Sequence, residues 1–243
     1  METLSDATRA LANSNEKPKL VLWILGMAFC SIVGWAAYNF LPEWGLPERL
    51  QEVTVFSSKE LQDELGVAKM EKRFRNAVTK FALLGGCFGL SSLFLLVKRP
   101  AMILVCTATG LFSGACAGII AYNVFGYIER GGSIPGVDDG LLPLALDVIF
   151  LTVASWSLAI PAGMVFWLAK PRTGTVDPSL FFIAGIVAGV AVPIALSLAF
   201  PNVRSDAFPR KGQELTMVWL GSVGVLLAVV PYLPKRKIKS TAN

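Results

Sequence analysis

AMILVCTATGLFSGACAGIIAYNVF, residues Ala101–Phe125, runs for 25 residues without a formal charge. The hydrocarbon core of a bilayer is crossed by about 20 residues of α-helix. Within that core a backbone must satisfy its own N–H and C=O groups, which a helix does. Five further runs of the same kind lie on either side: Leu20–Leu41, Ala77–Val97, Leu141–Ala169, Ser179–Phe200 and Leu215–Tyr232. None of them carries more than one formal charge. The pattern predicts an all-α integral membrane protein, a bundle of six transmembrane helices spanning 20–234. A polar N-terminal tail (1–19) and a basic C-terminal tail (235–243) flank it, and residues 42–76 form an extramembrane connector. The first run exceeds the 7–15 residues of a cleavable signal peptide, so it reads as a retained crossing.

Composition agrees with a lipid-facing chain. Of the 243 residues, 54 % are hydrophobic and only 16 % charged, against about 25 % charged in soluble domains. The formal net charge is +5. The Lys and Arg residues sit at helix ends, a distribution suited to anionic lipid rather than nucleic acid. Histidine is absent, which removes His-based metal sites and Ser-His or Cys-His catalysis. Cys30, Cys87, Cys106 and Cys116 all fall inside apolar runs with no C-x-x-C, so neither a disulfide framework nor a metal site is expected. No cofactor motif and no catalytic constellation emerge.

Orientation turns on the basic loops. With six crossings the two sides carry equal numbers of Lys and Arg, because Arg49–Lys80 loads one side heavily. Lys98–Pro100 (KRP) and Lys170–Arg172 (KPR) read as tight basic hairpins, and the loop between them holds Glu129, Asp138 and Asp139. Both termini are therefore placed in the cytoplasm of a plasma (inner) membrane; the alternative inverts the bundle and puts the Lys69–Lys80 cluster in the cytoplasm. Trp23 and Trp219 fall near run ends, as belt anchors do, whereas Trp156 sits in mid-run and fits no belt.

Small residues recur at helical spacing. Gly110, Gly114 and Gly118 are four apart, as are Gly85 and Gly89, and Gly185 and Gly189; Gly221 and Gly224 lie in the last run. Such rows let another backbone approach closely. They predict tight packing within the bundle, self-association, or a seat for another membrane protein. A six-residue echo also appears: GWAAYN (Gly34–Asn39) and GIIAYN (Gly118–Asn123).

Asp147 is the one acidic residue inside a run, and a carboxylate at such depth must be paired, hydrated or protonated. Asn123, Asn39, Tyr122 and Tyr38 are expected at a similar level, which suggests a polar cluster for a cation, proton or small solute. Pro161 and Pro193 are expected to break their helices. In the connector, Ser57 and Glu60 match a capping box and predict a short amphipathic helix running into the second crossing. Its Lys69, Lys72, Arg73 and Arg75 either merely face solvent or dock lipid headgroups or a partner. The function expected is that of a non-enzymatic accessory, assembly or scaffold subunit; the alternative is a small channel or transporter acting through Asp147.

Overall fold

The computed structural model describes residues 2–54, 57–129, 142–173, 177–199 and 213–232. Among them there is no strand. The helices are α1 (Glu2–Phe40), α2 (Glu48–Gln51), α3 (Lys59–Gly89), α4 (Ser92–Leu96), α5 (Pro100–Glu129), α6 (Leu142–Thr173), α7 (Ser179–Ala199) and α8 (Gln213–Val229), with a closing 3-10 turn at Val230–Tyr232. Four stretches are long and apolar enough to cross a membrane: Val21–Phe40, Lys59–Leu96, Pro100–Val124 and Leu144–Leu168. The fifth and sixth runs form shorter apolar helices, Ser179–Ala195 and Thr216–Val229. This set of apolar helices is compatible with a membrane protein.

Helices adjacent in sequence are neighbours in space. α3 lies between α1 and α5, α5 packs on α6, α6 on α7 and α7 on α8, while α8 returns to α1. The closest-knit pairs are α3 with α5 and α6 with α7. Apolar side chains of α1, α3, α6, α7 and α8 fill the middle, with Trp23, Met27, Leu84, Phe88, Leu158, Val165, Phe181, Trp219, Val223 and Leu227 buried. Trp23 of α1 meets Phe166 of α6 edge-on at 4.6 Å and Phe181 of α7 at 6.2 Å. Edge-to-face pairs of this kind contribute about 0.5–1.5 kcal/mol beyond burial.

Several details depart from the sequence reading. The polar segment 2–19 is helical and continuous with the first apolar span, both within α1. The second run is not one helix, because α3 stops at Gly89. Leu90–Ser91 then turns through shorter-range bonds, from Ser91 N–H to the Phe88 carbonyl and from Leu93 N–H to the Leu90 carbonyl. The Ser91 hydroxyl donates to the Phe88 carbonyl at 2.6 Å, drawing that carbonyl away from regular helix geometry. The cap of α3 is Ser58, which accepts from Leu61 N–H, whereas the Ser57 hydroxyl accepts from Thr54 N–H at 3.0 Å. Neither proline ends its helix, since Pro161 and Pro193 both lie within α6 and α7. A proline costs one backbone bond, whereas stopping a helix in apolar surroundings strands several.

Trp23 and Trp219 are core residues rather than belt anchors, 0 % and 1 % exposed. Their indole N–H groups find acceptors on neighbouring helices, which removes the need to reach water. Lys98–Pro100 does make a tight turn, with Pro100 starting α5 and Arg99 N–H bonded to the Leu96 carbonyl at 2.7 Å. Lys170–Arg172 instead continues α6, whose last residue is Thr173. Asp138, Asp139 and the basic tail 235–243 lie outside the described residues.

Candidate functional site

The glycine rows face one another across α3 and α5. A methyl group on Gly89 would stand 2.5 Å from the Cys106 carbonyl oxygen and 2.8 Å from Thr107 Cα. One on Gly118 would stand 2.8 Å from the Ala77 oxygen. Gly85 and Gly110 face each other's carbonyls, and Gly114 faces that of Phe81. Five glycines thus bring two backbones into direct contact, where any Cβ would collide with main chain that cannot swing aside. A second close approach joins α6 and α7. There Gly185 lies against Ala159 and Ser155, and a Cβ on Gly189 would stand 2.6 Å from Thr152 N. The buried Ser113 hydroxyl of α5 donates to the Ser157 carbonyl of α6 at 2.8 Å and links the two pairs.

The two copies of the echo flank α3. Tyr38 meets Phe81 edge-on at 6.0 Å, and Tyr122 meets Phe74 edge-on at 5.2 Å. Phe74 and Phe81 are two helical turns apart on α3. The amide of Asn39 donates to the Trp35 carbonyl, and that of Asn123 to the Ile119 carbonyl, both four residues back and both at 2.8 Å. Each echo thus makes the same internal bond and presents its tyrosine to the same helix. Asn39 also reaches the Thr216 hydroxyl of α8 at 3.3 Å. Asp147 is half-buried near the start of α6. Phe150, one turn on, meets Phe81 edge-on at 5.2 Å, which makes an aromatic chain Phe150–Phe81–Tyr38. The structure joins Tyr38 to that chain, whereas Asn39 and Asn123 bond elsewhere.

A polar elbow, which the sequence reading missed, folds the α1–α3 connection onto α3. Trp44 donates through its backbone N–H to Asn76 Oδ1 at 2.8 Å and through its indole to the Thr79 hydroxyl at 3.2 Å. The Arg75 guanidinium lies 5.5 Å over the Trp44 ring and also pairs with Glu71. Lys80 pairs with Glu43 at 2.8 Å and lies 5.3 Å over the Tyr38 ring. Arg49 pairs with Glu64. Of the four basic residues singled out in the connector, Arg75 is therefore engaged within the elbow. Lys69 and Arg73 are exposed and Lys72 is half-buried.

Compared with known proteins, the chain matches no family, no curated protein and no solved structure. Its function has to be read from its own residues. Among the described residues no three or more His, Cys, Asp or Glu side chains group in a way that would hold a metal ion. All four cysteines are free.

Proposed function

We propose that this chain is a multi-pass integral membrane protein of six crossings that acts as an accessory, assembly or scaffold subunit. The two shorter apolar helices complete the six, and both termini lie in the cytoplasm of a plasma (inner) membrane. The single observation that carries the reading is the seam between α3 and α5, in which main chain touches main chain through Gly85, Gly89, Gly110, Gly114 and Gly118. Such a seam makes a rigid, shape-defined core. The elbow at Trp44 then holds the first 18 or so residues of α3, roughly 27 Å of helix, as a fixed extramembrane arm. A rigid membrane core with a fixed arm is suited to positioning other proteins.

Native-membrane purification in mild detergent tests this. A membrane protein recovered in stoichiometric amount, and lost when the arm residues Val67 and Met70 are changed to Asp, supports the subunit reading. The second reading is transport, favoured by the half-buried Asp147 within the span Leu144–Leu168. A lone chain that passes cations or protons in liposomes, and stops on Asp147→Asn with its fold intact, replaces the first reading by the second.

A further inference from the structure

The arm of α3 changes sign along its length. Its tip, Lys59–Glu64, sets Glu60, Asp63 and Glu64 against Lys59, whereas its base, Lys69–Arg75, sets Lys69, Lys72, Arg73 and Arg75 against Glu71. Arg75 is paired with Glu71. Lys69 and Lys72 meet no acidic partner among the described residues. Lys69 has Lys72 three residues on and Arg73 four residues on, so both are its neighbours on the helix surface. Like charges at that spacing repel, a cost that an anion seated between them removes.

The depth of these cations identifies the anion. α3 and α5 run antiparallel in fixed register, with Gly85 facing Gly110, Phe81 facing Gly114 and Ala77 facing Gly118. α5 starts at Pro100, beside the basic turn Lys98–Arg99. Counted from there, a hydrocarbon core takes about 20 residues of helix, which ends near Ile120 and, by the register, near Arg75 on α3. The headgroup region adds roughly 5–7.5 Å beyond the core, or about 3–5 residues of helix. Lys72 and Arg73 stand within it, and Lys69 stands at its outer edge. The acidic tip lies outside, with Glu64 roughly 16 Å past the core. Trp44 gives the same depth independently. It is half exposed and bonds to Asn76 and Thr79, at the level where interfacial tryptophans gather.

We propose that Lys69, Lys72 and Arg73 form a site for the headgroup phosphate of an anionic phospholipid. The proposal rests on the reading that α3 and α5 cross the bilayer. A zwitterionic lipid brings its own cation beside the phosphate, whereas an anionic one leaves its charge to the protein, so the cluster selects the latter. Val67, Met70 and Phe74 lie on another side of the helix, so a bound lipid leaves that stripe open to a protein partner.

Native mass spectrometry of the detergent-solubilised chain, titrated with phosphatidylglycerol or phosphatidylcholine, tests the site. The wild type is expected to bind phosphatidylglycerol more tightly. Replacing Lys69, Lys72 and Arg73 together by Gln is expected to weaken that binding on the order of tenfold and to leave phosphatidylcholine unchanged. Lys69→Gln alone, at an exposed position that the fold does not need, is expected to give a smaller drop of the same sign. Lys59→Gln makes the same charge change on the same helix but roughly 24 Å past the core, and is expected to have no effect. A wild type without preference overturns the proposal and leaves the face to solvent or to an acidic protein. A Lys69→Gln chain that binds as before, or a Lys59→Gln chain that loses as much, overturns it too. Vesicles washed at alkaline pH separate the two levels of the argument. A chain that washes off overturns the membrane reading, and one that stays inserted but is indifferent to the headgroup overturns the site alone.

Discussion

Glycine stands both in the α3–α5 contact and, as Gly221, beside the α7–α8 contact, yet the two are opposites. Between α3 and α5 five glycines remove every atom that would hold the backbones apart. Between α7 and α8 lies an open apolar surface groove, lined by Ala191, Ala195, Met217, Gly221, Ser222 and Val225. A Cβ built on Gly221 would meet nothing within 4 Å. α8 is held instead through its other faces, by the buried Trp219, Val223 and Leu227 and by the close approach of Gly224 to Ser31 of α1, with polar anchors added. The anchors are Trp219 to Ser155, the Leu227 carbonyl to Trp23, and the Thr216 hydroxyl to Asn39. Backbone contact closes the α3–α5 seam, whereas the α7–α8 side stays open and α8 takes its hold from α1 and the core. Small residues at helical spacing therefore state that close approach is allowed, not that it occurs.

The largest expected effect breaks the seam. Gly114→Leu places a branched side chain on the Phe81 carbonyl, and main chain on both helices prevents relief. Overpacking a core costs about 1–3 kcal/mol and occasionally more; here the upper end or beyond is expected, because backbone rather than side chain is struck. Thermal unfolding of detergent-solubilised protein should show a strongly lowered midpoint or no folded material. A Gly114→Leu chain that melts with the wild type would mean the two backbones are not in contact.

Next is an anchor of α8. Trp219→Phe keeps most of the buried ring and removes the donor to Ser155, leaving that hydroxyl without its indole partner. A loss of about 1–2 kcal/mol is expected. Gly221→Ala goes the other way. The position is helical and open, so alanine gains helix propensity without meeting a neighbour, and about 0.5–1 kcal/mol of added stability is expected. The sign difference between Gly114 and Gly221, read in one melting series, is the sharpest test of the contrast. If both substitutions destabilise, the groove between α7 and α8 is filled in solution.

Much of the helix pattern was legible in the sequence, because hydropathy alone marks an apolar run and four-residue spacing alone marks a helix face. What the runs could not show is which face meets which helix. Gly114 and Gly221 look alike in sequence, and only the neighbour distinguishes them. The elbow escaped for a related reason: Glu43 and Lys80 are 37 residues apart, and no local pattern pairs them. The cap of α3 was misplaced by one residue because Ser57 and Ser58 are both competent caps, and the choice depends on the preceding turn at Thr54. The polar cluster was proposed from depth alone. Depth puts Asp147, Asn39 and Asn123 at one level but does not aim their side chains; each amide donates to its own helix, and that of Asn39 also to Thr216 of α8. The start of α7 was a readable signal passed over, since Asp177–Pro178–Ser179 has a capping residue followed by proline at the first helical position.

That cap gives the smallest effect and the one most specific to the helix that borders the open groove. Asp177 accepts the Ser179 backbone N–H at 3.0 Å. This bond, with a lesser contribution from the Ser179 hydroxyl, holds the carboxyl below its ordinary value of 3.8. A carboxylate whose folded value is depressed stabilises the fold above the unfolded value, and that contribution fades as pH falls through the folded one. The difference in melting midpoint between the wild type and Asp177→Ala should be flat from neutral pH down to about 5, then narrow below the ordinary carboxylate value. Because the side chain is fully exposed, salt should shrink the same difference at neutral pH. The carboxylate lies at the positive end of α7, the helix that joins the tight α6 contact to the open α8 contact, so the cap fixes where that helix begins. A midpoint difference that ignores both pH and salt would mean α7 is set entirely by its packing on α6, and the contrast between the two halves would then begin at α8.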